Sequence, residues 1–319
     1  MVSGPADRIA RRLIAAHRRL PEEAGMKPAL DALGGEVVRL RARDGVRLSG
    51  RWLEAEAPAE DPGAAADAPA SWVPDPREAI LLLHGWSGSV TPDLVDLGPF
   101  LRRTANVLGL DFRGHGGSDD GPTTFGVVEV EDVAGALDWL GERGIARVAL
   151  VGSSMGGITA IASVAVLGDG RLASADRDPD APATQVGPPR PRIVAVVADS
   201  TPAELDQAIR SRIPRPFGRL LARRSLDRLA ARVGGDPRAV QPIASVPLLE
   251  DVPLLLVHGD EDRTVSAKQH RRLVDAAPPT ARTLSIPGAG HAEGHRVDPA
   301  AYEGAVTGLL RNAFRGARS

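Results

Sequence analysis

The sequence predicts an α/β protein built around a mostly parallel sheet with helices on both faces. Short continuous apolar runs alternate with longer stretches of helical periodicity from Ala79 to Phe314, a pattern typical of buried parallel strands joined by helices. A chain of 319 residues can bury one large core, and it contains no cysteine, so that core forms without disulfides. We expect one main domain over residues 35–319, preceded by a helical extension over residues 1–34.

The extension opens with a basic amphipathic helix, predicted from Ala6 to Leu20 and ended by Pro21. Its apolar residues recur at helical spacing among several arginines. Such a helix packs on its own domain or on a partner, or it lies on a membrane surface. We favour packing because one short basic helix binds bilayers weakly, and contact with a membrane surface stays as the alternative.

The main domain begins with a predicted β-hairpin, in which Glu36–Ala42 and Val46–Leu53 are joined by a turn containing Asp44-Gly45. A loop rich in Ala, Pro, Asp and Glu follows from Ala55 to Pro76. The later strands are predicted at Ala79–Leu83, Asn106–Leu110, Arg147–Val151, Ile193–Ala198, Pro253–Val257 and Arg282–Ile286. Helices are predicted at Asp93–Arg103, Val128–Arg143, Met155–Val166, Ala267–Ala277 and Pro299–Phe314.

Two segments interrupt this alternation. Residues 168–191 are rich in Asp, Pro, Gly and Arg, so we predict a mobile surface insertion there and assign it no chemistry. Residues 202–249 are helical in pattern and rich in arginine. Because they fall between two late strands, we predict a short helical lid that faces the substrate.

Composition excludes several classes of function. The 39 basic and 41 acidic side chains give a formal net charge of -2, which offers no overall field to attract nucleic acid or an anionic membrane. The lack of cysteine excludes a thiolate zinc site and a thiol nucleophile. No apolar run approaches the roughly 20 residues that cross a bilayer, and the amino terminus lacks a secretory apolar centre, so we expect a soluble cytoplasmic protein.

The motif Gly152-Ser153-Ser154-Met155-Gly156 is the strongest chemical signal, because G-x-S-x-G stands between a predicted strand and a predicted helix. A serine on such a turn is held in a strained, exposed conformation, and the glycines let neighbouring backbone approach. We therefore predict Ser154 as a nucleophile. The Met155 N–H, at the start of the helix, is a candidate donor to an oxyanion.

A second oxyanion donor is expected at the end of an earlier strand. The strand ending at Leu83 is followed by His84-Gly85-Trp86, and we predict the backbone N–H of Trp86 as this donor. We interpret His84 as structural rather than catalytic. Asp111 and Arg113, after the next strand, are interpreted as a pair that shapes a glycine-rich loop.

A serine nucleophile needs a base and an acid that orients the base, and both follow in the expected chain order. His291 comes after the last strand and a Gly-Ala-Gly turn, with His295 and the earlier His115 as rivals. Asp262, in the loop after Val257, is the preferred acid. Two other carboxylates remain candidates, Asp260 in the same loop and Asp199 after an earlier strand.

These motifs together resemble the α/β-hydrolase superfamily over about Glu78 to Phe314. Within it the chain is similar to the bacterial serine aminopeptidase and acyl-transferase-like branch, through Thr124-Phe125-Gly126 with Glu129 and Asp132, and through His295–Tyr302. The resemblance implies the α/β-hydrolase fold with a helical lid. It also implies an acyl-enzyme mechanism that uses Ser154, His291 and Asp262 with no metal or organic cofactor.

The expected activity is therefore that of a serine hydrolase acting on a small acyl substrate, with a carboxylic ester as the favoured class. Peptidase and thioesterase activity use the same groups and stay open. The fold also hosts noncatalytic members, so a binding protein that retains the motif is the alternative of another class. No nucleic-acid partner is expected.

Overall fold

The structure is a computed structural model. It describes residues 4–15, 23–56, 72–167, 190–205, 218–233 and 235–318, together with Arg18 and Ile209. The predicted insertion at 168–191 lies outside the described residues except for Arg190 and Pro191, and parts of the predicted lid lie outside them as well.

One eight-stranded sheet organises the described chain, with strand order β1-β2-β4-β3-β5-β6-β7-β8. The strands are β1 Glu36–Arg41, β2 Arg47–Leu53, β3 Glu78–Leu83, β4 Asn106–Asp111, β5 Arg147–Ser153, β6 Arg192–Asp199, β7 Leu254–Gly259 and β8 Arg282–Ile286. The hairpin of β1 and β2 joins β4 antiparallel, and all later pairings are parallel. The predicted α/β-hydrolase fold is confirmed, and each predicted strand forms within two residues at either end.

Helices cover both faces of this sheet. They are α1 Pro5–Ile14, α2 Glu23–Leu33, α3 Thr91–Leu101, α4 Glu129–Glu142, α5 Met155–Leu167, α6 Gly218–Val233, α7 Pro242–Ser245, α8 Ala267–Ala276, α9 Gly294–Val297 and α10 Pro299–Arg318. Short 3₁₀ turns span Pro237–Val240 and Val246–Leu248. None of the described helices is long and apolar enough to cross a membrane.

The central strand β3 shows how the core is divided. Leu81 and Leu83 point into a cluster with α4 and α5, whereas Ile80 and Leu82 point into a second cluster with α3 and α10. Successive side chains of a strand alternate between faces, so the part of β3 that is covered on both sides by the two clusters, Ala79–Leu83, is apolar. This explains why the strand reads as one continuous apolar run.

The amino-terminal extension differs from its prediction. The first helix ends at Ile14 rather than Leu20, and the unpredicted helix α2 follows. The Trp86 indole N–H donates to the Leu13 carbonyl and the Thr123 N–H donates to that of Ile14, so carbonyls that would extend the helix bond to the main domain instead. Trp86 and Thr123 are distant from α1 along the chain, so the sequence alone does not show that they bond to the end of this helix.

Arg113 organises the loop after β4, but not with the partner expected from the sequence. Its guanidinium donates to the Asp132 carboxylate on α4 at 2.7 Å and to Asp44 in the hairpin turn at 2.6 Å. The Asp111 carboxylate instead accepts the backbone N–H groups of Val90 and Gly117. The expected pairing of Asp111 with Arg113 is therefore wrong, because α4 supplies a nearer carboxylate.

We expect Asp132→Asn to lower the free energy of unfolding by about 3–5 kcal/mol, because it removes the buried partner of a buried charge. The side chain of Asp132 is 0 % exposed and that of Arg113 is 3 % exposed, whereas the side chain of Asp44 is 42 % exposed. Asp44→Asn, the matched control, is expected to cost at most about 1 kcal/mol. Urea unfolding curves measure both values, and equal losses would contradict the assignment of the buried partner.

Candidate active site

Ser154 lies on a sharp turn between β5 and α5, with a φ of +51°. Its N–H donates to the carbonyl of Asp199 at 2.8 Å, which ties the turn to the end of the neighbouring strand β6. A Cβ at Gly156 would lie 2.0 Å from the carbonyl oxygen of Leu83, so only glycine lets this turn approach β3. The result is a serine hydroxyl held above the carboxyl edge of the sheet.

The structure brings three of the predicted site residues together. Nε2 of His291 lies 3.0 Å from Oγ of Ser154, and Nδ1 of His291 lies 2.7 Å from Oδ2 of Asp262. The carboxylate accepts the Nδ1–H, which leaves Nε2 as the ring atom that can accept the serine proton. The continuous chain of hydrogen bonds therefore runs from Asp262 through His291 to Ser154.

Asp262 is buried, and backbone groups hold its carboxylate. Oδ1 accepts the N–H groups of Thr264 at 2.7 Å and Val265 at 2.8 Å. Burial raises the pKa of Asp262, but the bond from His291 and these backbone bonds outweigh it, so the pKa lies below its ordinary value. The group is ionised throughout the neutral pH range, as an acceptor for the His291 Nδ1–H must be.

The rival acids are placed elsewhere. Asp260 accepts the N–H of Gly288 at 2.6 Å and lies in an exposed position. Asp199 is 5 % exposed and accepts the hydroxyl protons of Ser200 and Tyr302. Burial raises the pKa of Asp199 to about 6 against these bonds.

The rival histidines also lie in other contacts. His295 stacks on Phe100 and faces Glu303 at 3.1 Å. His115 is fully buried, with Nδ1 against the carbonyl of Arg113 at 2.9 Å and Nε2 accepting the Ser87 N–H at 3.3 Å. Burial lowers the pKa of His115, so it stays neutral. Neither ring is bonded to Ser154.

Asp199 also links Ser154 to the loop of His291 through Ser200. The Ser200 hydroxyl donates to the Asp199 carboxylate at 2.9 Å and accepts the Ala292 N–H, next to His291, at 2.9 Å. Ser200 and Ala292 both have positive φ, at +50° and +56°. Because the Asp199 carbonyl also binds the Ser154 N–H, one residue fixes both loops.

His84 orients the peptide that carries the predicted Trp86 donor. Nε2 of His84 accepts the Phe112 N–H at 3.1 Å, and the Nδ1–H donates to the carbonyl of Gly85 at 2.6 Å. Burial, with His115 nearby, lowers the pKa of His84 to about 3, so the ring is neutral as these bonds require. The N–H of a planar trans peptide points opposite to its C=O, so this bond fixes the direction of the Trp86 N–H.

The two predicted oxyanion donors remain available. Within the described part of the chain, neither the Trp86 N–H nor the Met155 N–H donates a hydrogen bond. A Cβ built at Gly85 would lie 3.7 Å from that of Ser154, which sets the His84–Trp86 turn beside Ser154. Two unpaired N–H groups next to a serine hydroxyl can stabilise a developing oxyanion.

One cavity lies beside Ser154 and a second lies beside Ser153. An apolar cleft of about 460 Å³, measured with its opening, is lined by Trp86, Phe125, Met155, Ile158 and Val265 among others. A more polar cavity, about 390 Å³ when measured with its opening, is lined by Ser153, Asp93, Asp199 and Tyr302 among others. Among the described residues, no group of three or more His, Cys, Asp or Glu side chains could hold a metal ion.

The family of the chain follows from its similarity to known proteins. Residues 80–305 match the model of the alpha/beta hydrolase family. The chain belongs to this family. The superfamily predicted from the motifs is thus confirmed, whereas the narrower aminopeptidase and acyl-transferase-like branch stays a prediction.

The relatives and solved structures that resemble the chain are diverse. It is 25% identical to the uncharacterized protein YfhR of Salmonella typhi over 283 residues, which cover 88% of this chain and 80% of YfhR. The esterase Pf2001 of Pyrococcus furiosus superposes with a TM-score of 0.62 at 20% identity, covering 94% and 98% of the two chains. An esterase from Exiguobacterium antarcticum gives a TM-score of 0.56 at 15% identity, covering 86% and 100%. At these identities the solved structures show a shared fold.

Sequence reasoning missed several residues around this site. Ser200 and Ala292 gave no motif, although Ser200 follows a candidate acid at a strand end. In the sequence Asp93 marks only the start of a predicted helix. Leu13 is one apolar position of the predicted amphipathic helix, and nothing in the sequence shows that it lines the apolar cleft. Such residues are found only when distant segments of the chain are brought together.

The polar cavity generates a prediction about stability and pH. Desolvation, with the charges of Asp96 and Asp199, raises the pKa of Asp93 to about 7. A carboxyl group whose pKa is raised on folding destabilises the protein as pH rises from its unfolded value, near 4, through its folded value. Asp93→Asn removes this ionisation. We therefore expect the melting temperature of Asp93→Asn, relative to wild type, to increase from pH 5 to pH 8.

The control is Asp275→Asn on the exposed side of α8, which should follow the wild-type pH profile. Thermal denaturation at closely spaced pH values compares the three proteins. If the melting temperatures of Asp93→Asn and wild type differed by the same amount at every pH from 5 to 8, ionisation of Asp93 would not be coupled to folding.

Proposed function

We propose that the chain is a serine hydrolase that cleaves carboxylic esters through an acyl-enzyme intermediate. The observation that carries the proposal is the chain of hydrogen bonds from Asp262 through His291 to Ser154. A serine hydroxyl is a weak nucleophile unless a base accepts its proton, and this arrangement supplies the base and fixes its tautomer.

In the first half-reaction, Oγ of Ser154 attacks the carbonyl carbon of the ester while its proton passes to Nε2 of His291. The electron pair of the carbonyl bond moves to oxygen, and the N–H groups of Trp86 and Met155 stabilise the resulting oxyanion. When the intermediate collapses, the bond to the leaving alcohol breaks. His291 donates its proton to that alcohol, and the acyl group stays on Ser154.

In the second half-reaction, water takes the place of the alcohol. Nε2 of His291 accepts a proton from water, and the hydroxide formed attacks the carbonyl of the acyl-Ser154 ester. Collapse of this second intermediate returns the proton from His291 to Oγ of Ser154 and releases the carboxylic acid. Asp262 stays ionised throughout and stabilises the imidazolium that forms twice in each cycle.

The lining of the apolar cleft favours an ester over a peptide with a free amino terminus. The described residues that line the cleft beside Ser154 include no charged side chain. An aminopeptidase must pair the ammonium group of its substrate with a carboxylate, because burying an unpaired charge is costly. An uncharged acyl group needs no such partner. Esterases among the structures that share the fold agree with this choice, while thioesters remain compatible with the same groups.

The noncatalytic alternative is disfavoured by the arrangement itself. A binding protein needs neither a histidine within hydrogen-bond distance of Ser154 nor free N–H groups beside it, and both features are present. We propose a small acyl compound as the substrate. The cytoplasmic location and the alternative of membrane-surface contact stay predictions from the sequence.

We expect Ser154→Ala to abolish hydrolysis of short aryl esters and covalent labelling by a fluorophosphonate, because it removes only the nucleophile. Ser153→Ala, the adjacent control, should retain both, since Oγ of Ser153 faces Asp93 at 3.4 Å rather than His291. Mass spectrometry of the labelled peptide gives the modified residue. Labelling that persisted in the Ser154 variant and vanished in the Ser153 variant would move the nucleophile by one position.

We expect Asp262→Asn to lower kcat by about 10⁴, because an amide no longer stabilises the imidazolium or fixes the ring tautomer. Asp199→Asn should lower kcat far less, since Asp199 bonds to Ser200 and Tyr302 and not to the His291 ring. Steady-state kinetics with p-nitrophenyl acetate measures both. A nearly inactive Asp199 variant beside an active Asp262 variant would reverse the two roles.

A further inference from the structure

The amino-terminal helix α1 contributes to the apolar cleft beside Ser154. Leu13 lines this cleft together with Trp86, Phe125 and Ile209. Leu13 is only 8 % exposed and belongs to the same buried cluster as Phe125 and Ile209. A segment predicted as an extension outside the main domain therefore supplies one wall of the space that opens beside the nucleophile.

Backbone and side-chain contacts hold this wall in place. The Trp86 indole donates to the Leu13 carbonyl at 3.1 Å, and the Thr123 N–H donates to the Ile14 carbonyl at 3.0 Å. Along its length α1 packs against α6, and Asp7 forms ion pairs with Arg11 and with Arg232 of α6. The Trp86 bond is notable because the same residue carries the proposed oxyanion donor on its backbone. The helix is thus joined directly to the loop that shapes the reaction site.

The orientation of α1 explains its amphipathic sequence. Its apolar side, with Ala10 and Leu13, is buried in the domain, while Arg8, Arg11 and Arg12 are exposed to solvent. In this position the apolar side of α1 packs against the domain, and its Leu13 lines the cleft. The sequence pattern that suggested a membrane-surface helix is therefore satisfied within the molecule.

We propose that α1 closes the acyl pocket and that Leu13 limits the length of chain the pocket accepts, so that the substrates are esters of short, uncharged acyl groups. This inference rests on the proposed nucleophilic role of Ser154. Leu13 lies at the boundary where α1 meets the cleft, so a shorter side chain opens space there. A long acyl chain then enters without displacing the helix.

The test uses covalent inactivators, because their reaction does not depend on whether the natural substrate is an ester, a thioester or an amide. Ethyl p-nitrophenyl butylphosphonate and its octylphosphonate analogue differ only in the alkyl chain on phosphorus. Oγ of Ser154 forms a bond to phosphorus, p-nitrophenolate leaves with the electron pair of its P–O bond, and the serine proton passes to His291. Release of p-nitrophenolate measures the rate of inactivation with each chain.

Wild type is expected to react faster with the butyl reagent. Leu13→Ala should raise the octyl-to-butyl ratio of rates at least about tenfold, the range typical of a change by one or more methylenes in an apolar pocket. Leu13→Val, a smaller truncation, should shift the ratio in the same direction by less. This variant replaces Leu13→Ala in the test if the alanine variant does not fold. Leu13→Met conserves volume and should keep the wild-type ratio.

Ile9→Ala provides the matched control on the same helix. Ile9 packs against the core but does not line the cleft, so its truncation loosens α1 without opening the pocket. An equal shift in the Ile9 and Leu13 variants would overturn the inference, because loosening alone would then explain it. An unchanged ratio in the Leu13 variants, with Ser154 still modified, would overturn it too. If neither reagent modified Ser154 in wild type, the proposed function would fail, and this inference with it.

Discussion

The left-handed backbone at Ser154 is the constraint on which the site depends. The left-handed conformation costs a residue with a Cβ roughly 1–2 kcal/mol of free energy, so surrounding contacts must hold Ser154 in it. Here the bond from the Ser154 N–H to the Asp199 carbonyl and the close approach of Gly156 to β3 do so. Because the strand and helix on either side are rigid, the strained turn keeps the hydroxyl in one place.

The position of His291 depends on the same contact with Asp199. His291 lies in a loop after β8, at the edge of the sheet, and needs support to reach Ser154 on the turn after β5, near the middle of the sheet. Ser200 provides it, accepting the Ala292 N–H and donating to Asp199, whose carbonyl already binds Ser154. Burial raises the pKa of Asp199, so ionising this carboxyl group is costly, and what Asp199 contributes at this point is the position of the two loops that it joins.

How much of this could be predicted depends on whether the signal is local. The strands were predicted because a strand buried on both faces is apolar along most of its length, as β3 is from Ala79 to Leu83. The Ser154 turn was predicted because backbone contacts require its glycines. The end of α1 could not be predicted, since it depends on hydrogen bonds from Trp86 and Thr123. The helix α2 could not be predicted either, because it contains Pro28, and proline usually opposes a helix. The partner of Arg113 was missed for the same reason, because Asp132 comes close only when α4 packs on the sheet.

The division between extension and main domain illustrates the limit of reasoning from composition. Residues 1–34 differ from the rest in pattern, and a boundary at Gly35 follows from that difference. Yet the Leu13 carbonyl receives the indole N–H of Trp86, and the Leu13 side chain meets the cleft beside Ser154. Burial of the apolar side of α1 stabilises the domain by the hydrophobic effect. The same side also forms part of the wall of the cleft. Leu13 of α1 is therefore one of the residues that line the cleft beside Ser154, although the sequence pattern sets residues 1–34 apart.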